Sequence, residues 1–276
     1  MPDSICMKTA SIATAAILLT LLTQIGGLIL LAAIWARRLL GWPRRFVVTL
    51  SLFAVLYGVT SMVTTVVAPV FGRVPLPCFA GHQDRLVIRS AMLCVMNRHY
   101  VVPELKEAAL ALATEIDRQF PGTMTLALDG NFPFIDGFPL LPHLSHADGR
   151  KLDIAFYYED EQGRFRDGQT PSPIGYFAFE QPMPGATLPC AGRNDVLTTR
   201  WDLDFLQFMR EGRRLEEHRT RAALQWLVDE GPRYEVDKVF VEPHIAERLD
   251  VSGPLIRFQG CRAARHDDHI HIQVAP

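Results

Sequence analysis

Histidines and aspartates concentrate in two short segments, and these residue types are ordinary ligands of a protein-bound metal. Five of the nine histidines fall within residues 143–153 and 266–271. The first segment ends on Asp153 and the second on His271. Because imidazole nitrogens and carboxylate oxygens suit zinc, the two segments together predict one metal site.

The second segment runs into a predicted strand, in which side chains two residues apart project from the same face. His269 and His271 therefore point together, while Ile270 and Ile272 face the core. Asp153 interrupts another apolar strand, where an unpaired carboxylate is costly. The alternation predicts a shared polar face for these two strands.

If the two strands are neighbours in one sheet, Asp153 meets His271, and His146 on the preceding turn closes a third side. Two histidines and one aspartate leave a coordination position open for water, as catalytic zinc requires. A lone His-x-His strand or a lone strand aspartate is more often an ordinary surface or capped residue. Their combination predicts zinc bound by His146, Asp153 and His271.

A second metal enzyme class shares part of this pattern. His146 and Asp148 form a His-x-Asp step that, with a distal histidine, fits the facial triad of iron(II) oxygenases. Those enzymes resemble double-stranded β-helices and usually carry an arginine after the distal histidine. Residues 272–276 contain no arginine, and an exported location lacks the oxoacid cosubstrate, so we favour the zinc site.

Predicted helices alternate irregularly with predicted strands around these residues. This order predicts an α+β domain with a small, mostly antiparallel sheet and several helices. Apolar residues recur at helical or strand spacing in seven segments. Helices are predicted at 102–120, 201–210 (with Asp202 as its cap) and 215–230, and strands at 123–128, 152–158, 236–241 and 269–274. Long loops are expected at 159–173 and 182–194, where loops often frame sites.

The first quarter of the chain is almost purely apolar and predicts membrane helices ahead of this domain. Uncharged runs at 9–35 and 46–71 each exceed the roughly 20 residues that cross a bilayer. The first run is also longer than the apolar core of a signal peptide. We therefore predict a two-helix transmembrane hairpin at 1–71, a linker and domain entry at 72–100, and the metal domain at 101–276.

Four arginines lie in the loop between the two runs: Arg37, Arg38, Arg44 and Arg45. Short cytoplasmic loops concentrate basic residues, so this loop is expected inside, with both ends of the hairpin pointing outward. Further arginines after the second run reduce the difference in basic charge between the two sides of the membrane, on which this orientation depends. The expected location is the inner (cytoplasmic) membrane, with the metal domain on its outer, periplasmic side.

The cysteines bear on the compartment of the protein, and its net charge bears on the partners that it could bind. Four cysteines follow the second run: Cys78, Cys94, Cys190 and Cys261. An oxidising compartment permits one or two disulfides among them, with free buried thiols as the alternative. The net charge of −2 gives no reason to expect nucleic acid as a partner.

The two histidine segments resemble the motifs of the LAS metallopeptidases. This group spans penicillin-insensitive murein endopeptidases, zinc D-Ala-D-Ala carboxypeptidases and dipeptidases, and the hedgehog signalling domain. Residues 145–153 are similar to the Ser-His-x-x-Gly-x-x-x-Asp pattern of the murein endopeptidases. Residues 266–271 match their closing His-Asp-x-His-x-His pattern. The resemblance covers roughly residues 100–276 and implies a hedgehog-like α+β fold, without the membrane hairpin.

By this resemblance, His146, Asp153 and His271 are the zinc ligands. His266 stands where the carboxypeptidases and hedgehog have a glutamate and is expected to be the general base, with His269 as a further catalytic histidine. Four neighbours are expected to contact substrate or to support the ligands from outside: His143, Ser145, Asp267 and Asp268.

The resemblance implies a membrane-anchored zinc metallopeptidase, of murein endopeptidase or D,D-carboxypeptidase type, that hydrolyses amide bonds of peptidoglycan peptides. The alternative is a hedgehog-like zinc domain that binds cell-wall peptide or a protein partner without catalysis. A histidine at position 266 can still transfer protons, which favours catalysis. The sequence indicates no particular protein partner.

Overall fold

The computed structural model describes residues 2–81, 85–141, 143–172, 174–175, 179–193 and 204–276. Over these ranges the chain is an α+β protein, as predicted, in which N-terminal helices precede a domain built on a mixed sheet. The predicted start of a helix at 201–203, including its cap at Asp202, lies outside the described residues. Residues 204–210 form a 3-10 helix.

The N-terminal apolar sequence forms three helices. They are α1 (Pro2–Thr23), α2 (Gly26–Leu39) and α3 (Phe46–Val67), and α3 continues as a 3-10 turn at Ala68–Phe71. Between α1 and α2, Gln24 adopts a left-handed φ of 65°. A Cβ at Gly27 would lie 2.2 Å from the Ala16 carbonyl oxygen, whereas one continuous helix would hold these residues about 16 Å apart. The chain therefore folds back, and α2 returns beside α1.

The fold-back makes the predicted single membrane helix over residues 9–35 wrong. α2 has only 14 residues, which is too short for a bilayer core about 30 Å thick. The start of α1 also lies at the same end of this helix group as the arginine loop, whereas we expected it at the opposite end. Glycine at position 27 allows the close approach, because no side chain separates the two backbones.

One helical segment, Phe46–Phe71, is long and apolar enough to be a candidate membrane span, with 26 residues and a mean hydropathy of 2.1. Its outward face exposes Val59 and Met62. The opposite face contacts the following domain, where the Thr64 and Tyr100 hydroxyls lie 2.8 Å apart. This helix is therefore both a candidate anchor and a packing partner.

Four further helices and ten strands follow the apolar region in the part of the chain that the structure describes. The helices are α4 (Ala91–Val95), α5 (Pro103–Gln119), α6 (Glu217–Asp229) and α7 (Pro243–Arg248). The strands are β1 (Val74–Pro75), β2 (Leu86–Ile88), β3 (Tyr100–Val101), β4 (Thr125–Ala127), β5 (Lys151–Ala155), β6 (Tyr158–Glu159), β7 (Arg214–Leu215), β8 (Val236–Phe240), β9 (Ile256–Arg257) and β10 (His269–Val274).

Six of these strands form the main sheet in the order β2-β4-β5-β10-β8-β9, and two short pairs, β1-β3 and β6-β7, lie apart. The three inner pairs are antiparallel, whereas the outer pairs β2-β4 and β8-β9 are parallel. The sheet is therefore mixed, and three of its five strand pairings are antiparallel. The segment that we expected to be a linker and domain entry contributes β2, so the sheet begins before residue 101.

Helices α5 and α6 contribute to the core that covers one face of the sheet. The apolar side of α5 is buried with Leu105 and Ile116, and Leu224 of α6 joins the same cluster. Ile270 and Ile272 of β10 are fully buried in it, as the strand alternation predicts. This packing leaves the opposite side chains of β10 to face the site.

Two disulfides confirm the prediction for the four cysteines. Cys78 is bonded to Cys94, and Cys190 is bonded to Cys261. The first bond ties the chain after α3 to α4. The second ties a long loop to the segment just before the second histidine cluster. Disulfides of this kind form and persist in oxidising environments.

Candidate metal site

The sheet register brings the two histidine segments together. Strands β5 and β10 are antiparallel neighbours, and Asp153 lies directly opposite His271. Directly opposed residues point to the same side of a sheet. His146 reaches this point from the 3-10 turn Leu144–His146. The predicted juxtaposition of these three residues is confirmed.

The three side chains offer ligand atoms at the spacing of a metal site. The His271 Nδ1 atom lies 2.8 Å from Asp153 Oδ1 and 3.3 Å from His146 Nε2. His146 Nε2 lies 3.4 Å from Asp153 Oδ1. With zinc bonds of about 2.0–2.1 Å, a tetrahedral site has ligand–ligand edges of about 3.3 Å. Two edges match this value, and the shorter third edge is an Asp–His hydrogen bond.

The outer nitrogens of the two histidines have partners that orient the rings. His146 Nδ1 lies 3.3 Å from the Gly130 carbonyl oxygen, to which an N–H would donate, so Nε2 faces the site. His271 Nε2 lies 3.2 Å from the Gln273 amide, which offers either a donor or an acceptor on rotation. Burial lowers the pKa of His271 to about 4. Neutral imidazole is the form that binds metal.

The site opens into a cavity of about 180 Å³. The three candidate ligands, His266 and His269 are among its lining residues. The predicted substrate neighbours His143 and Ser145 also line it. The cavity therefore gives access to a site whose ligand side chains are otherwise buried.

Two further histidines lie beside the candidate ligands. The ring of His266 is 5.2 Å from that of His271 and 5.0 Å from that of His269. Burial, together with the neighbouring imidazoles, holds the pKa of His266 well below its ordinary value. His266, His269 and His271 form a second trio that could hold a metal. The trio containing Asp153 suits a divalent cation better, because its carboxylate offsets part of the charge.

The two aspartates of the second segment are buried and have different partners. Asp268 Oδ1 lies 2.6 Å from His269 Nδ1 and so orients that ring with its Nε2 toward Asp153, 3.5 Å away. Asp267 instead contacts His244 at 3.2 Å and Arg265 at 3.0 Å. Neither is a solvated turn residue. Asp268 supports a site histidine, whereas Asp267 joins the segment to α7.

A buried charge chain lies behind the site and joins the predicted neighbour His143 to two residues that were not predicted, Arg98 and Asp129. His143 lies between two carboxylates, with Nδ1 2.5 Å from Asp129 Oδ2 and Nε2 3.1 Å from Asp153 Oδ2. Arg98 donates to Asp129 from Nε at 3.0 Å. Burial opposes charge on His143, but the two carboxylates outweigh it and raise the pKa of His143 to about 9. A protonated His143 therefore forms an ion pair with the outer oxygen of Asp153.

Asp129 and Arg98 had no sequence signal that linked them to either histidine segment. Asp129 follows β4, and Arg98 precedes β3. Asp129 is fully buried, and the charges of His143 and Arg98 lower its pKa against the effect of burial. Only the fold places these residues behind the site.

A third group of potential ligands, formed by Cys78, Cys94 and His99, lies near α3. The two cysteines are joined as a disulfide, so neither is available as the thiolate that binds zinc. The histidine and aspartate site remains the better candidate in the described part of the chain.

Comparison with known proteins adds no further identification. No model of a known protein family matches the chain, and no curated protein matches its sequence. The functional assignment therefore depends on the geometry of the buried site and on the two motifs that occupy it.

Proposed function

We propose that this chain is a membrane-anchored zinc peptidase of the LAS type that hydrolyses amide bonds in peptidoglycan peptides. One observation carries the proposal. The buried trio of His146, Asp153 and His271 has ligand atoms at near-tetrahedral spacing beside an open cavity. A purely structural zinc site would have a fourth protein ligand and no cavity.

The donor set favours zinc over other common ions. Calcium and magnesium prefer sites made of oxygen ligands, whereas this site offers two imidazoles and one carboxylate. Zinc takes this combination with one position left for water or substrate. The site fits zinc by the chemistry of its donors and by their spacing.

Zinc, when bound, polarises the scissile carbonyl and lowers the pKa of water toward neutrality. His266 lies beside the candidate ligand His271, with ring centroids 5.2 Å apart, and its imidazole would accept a proton from the attacking water. It can then donate that proton to the leaving amine. His269, oriented by Asp268, is placed to hydrogen-bond the reacting group. These roles make hydrolysis of an amide the reaction that the side chains suit best.

The anchor favours a substrate near the outer surface of a membrane. The candidate span Phe46–Phe71 follows the arginine loop, and such loops are usually cytoplasmic. The two disulfides suit an oxidising compartment on the other side. Cell-wall peptide is the abundant amide substrate there, which supports peptidoglycan as the target.

The test combines metal analysis with hydrolysis of cross-linked muropeptides and of peptides ending in D-Ala-D-Ala. We expect the purified full chain to carry about one zinc and to cleave one of these substrates. His266→Ala should keep zinc but lower the rate by about 10²- to 10⁴-fold, the usual share of general acid–base catalysis. His218→Ala removes an exposed histidine of α6 and is the matched control, with unchanged activity.

Two outcomes would contradict the proposal. If the wild-type chain binds no zinc, the metal assignment fails. If zinc-loaded protein binds muropeptides or a protein but cleaves neither substrate class, the hedgehog-like binding function replaces hydrolysis. Equal losses in the His266 and His218 variants would remove His266 from its role as base.

A further inference from the structure

The domain contacts α3 near the middle of the helix, not only at its end. The Tyr57 hydroxyl donates to the Val95 carbonyl oxygen at 2.6 Å, and the Asn97 amide donates to the Tyr57 hydroxyl at 3.0 Å. The Thr64–Tyr100 hydroxyl contact lies further along the same face of α3. The chain between α4 and β3 therefore runs alongside the second half of the candidate span.

The position of Tyr57 fixes how deep this contact lies. Arg44 and Arg45 immediately precede α3, and such charges stay at the membrane boundary. From Phe46 to Tyr57 the helix rises by about 16 Å. The hydrocarbon core is about 30 Å thick, so Tyr57 lies near its middle when α3 crosses upright. Val95 is hydrogen-bonded to Tyr57 and lies at a similar level.

The surface of α4 at this level is apolar. Met92 and Val95 are 63% and 59% exposed, and residues three apart on a helix share a face. Phe79, which is 82% exposed, follows Cys78, and the disulfide from Cys78 to Cys94 holds it close to α4. These three exposed side chains form an apolar patch beside the second half of α3.

Three polar residues that follow α4, namely Asn97, Arg98 and His99, carry no isolated charge. Asn97 is fully buried and hydrogen-bonded to Tyr57. Burial lowers the pKa of His99 to about 4, so its imidazole carries no charge. Arg98 is paired with Asp129. Immersing this side of the domain would leave none of these groups as an isolated charge in lipid.

We propose that the patch of Phe79, Met92 and Val95 inserts into the acyl chains of the bilayer. The domain that carries the candidate metal site is then partly embedded in the leaflet at which α3 ends, and is not held above the membrane by a flexible linker. We call this arrangement the embedded position. The lipid acyl layer is the occupant because the hydrogen bond between Tyr57 and Val95 places the patch beside the middle of the candidate span. This inference rests on the membrane-anchored part of the proposed function and is independent of hydrolysis.

Insertion of the patch is tested by collision measurements on nitroxide labels, with the protein in phospholipid bilayers. A Cys6→Ser background leaves the four disulfide-bonded cysteines, and single cysteines are introduced by Met92→Cys and Val95→Cys. Val59→Cys on the outer face of α3 is the lipid reference, and Gln225→Cys on the exposed side of α6 is the water reference. Collisions with oxygen report lipid, and collisions with a soluble nickel chelate report water.

We expect the ratio of oxygen to nickel collisions at Met92 and Val95 to shift from the Gln225 value to the Val59 value. If both positions match Gln225 while Val59 is lipid-exposed, insertion of the patch is refuted, but α3 still crosses the membrane. If Val59 itself matches Gln225, α3 does not cross the bilayer. Both the membrane anchor and insertion of the patch are then refuted. None of these outcomes depends on peptidase activity.

Discussion

Removing the carboxylate of Asp129 tests the charge chain behind the site. Asp129→Asn keeps the size of the side chain but deprives Arg98 and His143 of their shared anion. Breaking a buried ion pair by removing one partner costs about 3–5 kcal/mol. Because His143 Nε2 lies 3.1 Å from the outer oxygen of Asp153, we expect the change also to loosen this candidate ligand. Loss of such an outer partner typically lowers metal affinity about 10- to 100-fold.

Two measurements on the same variant separate these effects. Urea unfolding of the chain without metal gives the loss of folding free energy, and competition with a chelator gives the loss of zinc affinity. Glu115→Gln is the matched control, because it makes the same chemical change at an exposed ion pair with Arg118, where little stability is at stake. If Asp129→Asn behaves like Glu115→Gln in both measurements, the charge chain neither stabilises the fold nor holds the ligand.

Three further predictions address the metal, the second disulfide and the topology. Asp153→Ala should abolish stoichiometric zinc in metal analysis, and full occupancy would contradict the ligand assignment. Replacing Cys190 and Cys261 by serine opens a loop with a sequence separation of 71 and should cost about 4 kcal/mol in chemical denaturation; an unchanged midpoint would argue against this contribution. A reporter fused after Gly81 should be active only if it works outside the cytoplasm, and activity of a cytoplasm-only reporter there would reverse the topology.

Local patterns predicted the part of the site that lies on regular strands. Alternation along β10 separates Ile270 and Ile272 from His269 and His271, and the structure confirms both faces. Helix α5 follows its apolar spacing to within a residue of each predicted end. Such features depend on neighbours close in sequence, so periodicity reveals them.

Features created by tertiary contacts were not predictable in the same way. Arg98 and Asp129 meet only because the fold brings their segments together, and their spacing follows no motif. β2 has three residues, which are too few for a period to emerge. The break between α1 and α2 had one local signal, the Gly26-Gly27 pair. A hydropathy average over an uncharged run does not detect it.

The place of β10 in the sheet has a consequence for biogenesis. In chain order β10 follows every other strand of the main sheet, yet it sits between β5 and β8. Asp153 and His271 are 118 positions apart, a length that a ribosome takes about 6–24 s to synthesise. A nascent domain therefore holds an open sheet and an incomplete ligand set until β10 arrives. Under the proposed function, the chain cannot hold its full set of candidate ligands before β10 has been synthesised, because His271 lies on that strand.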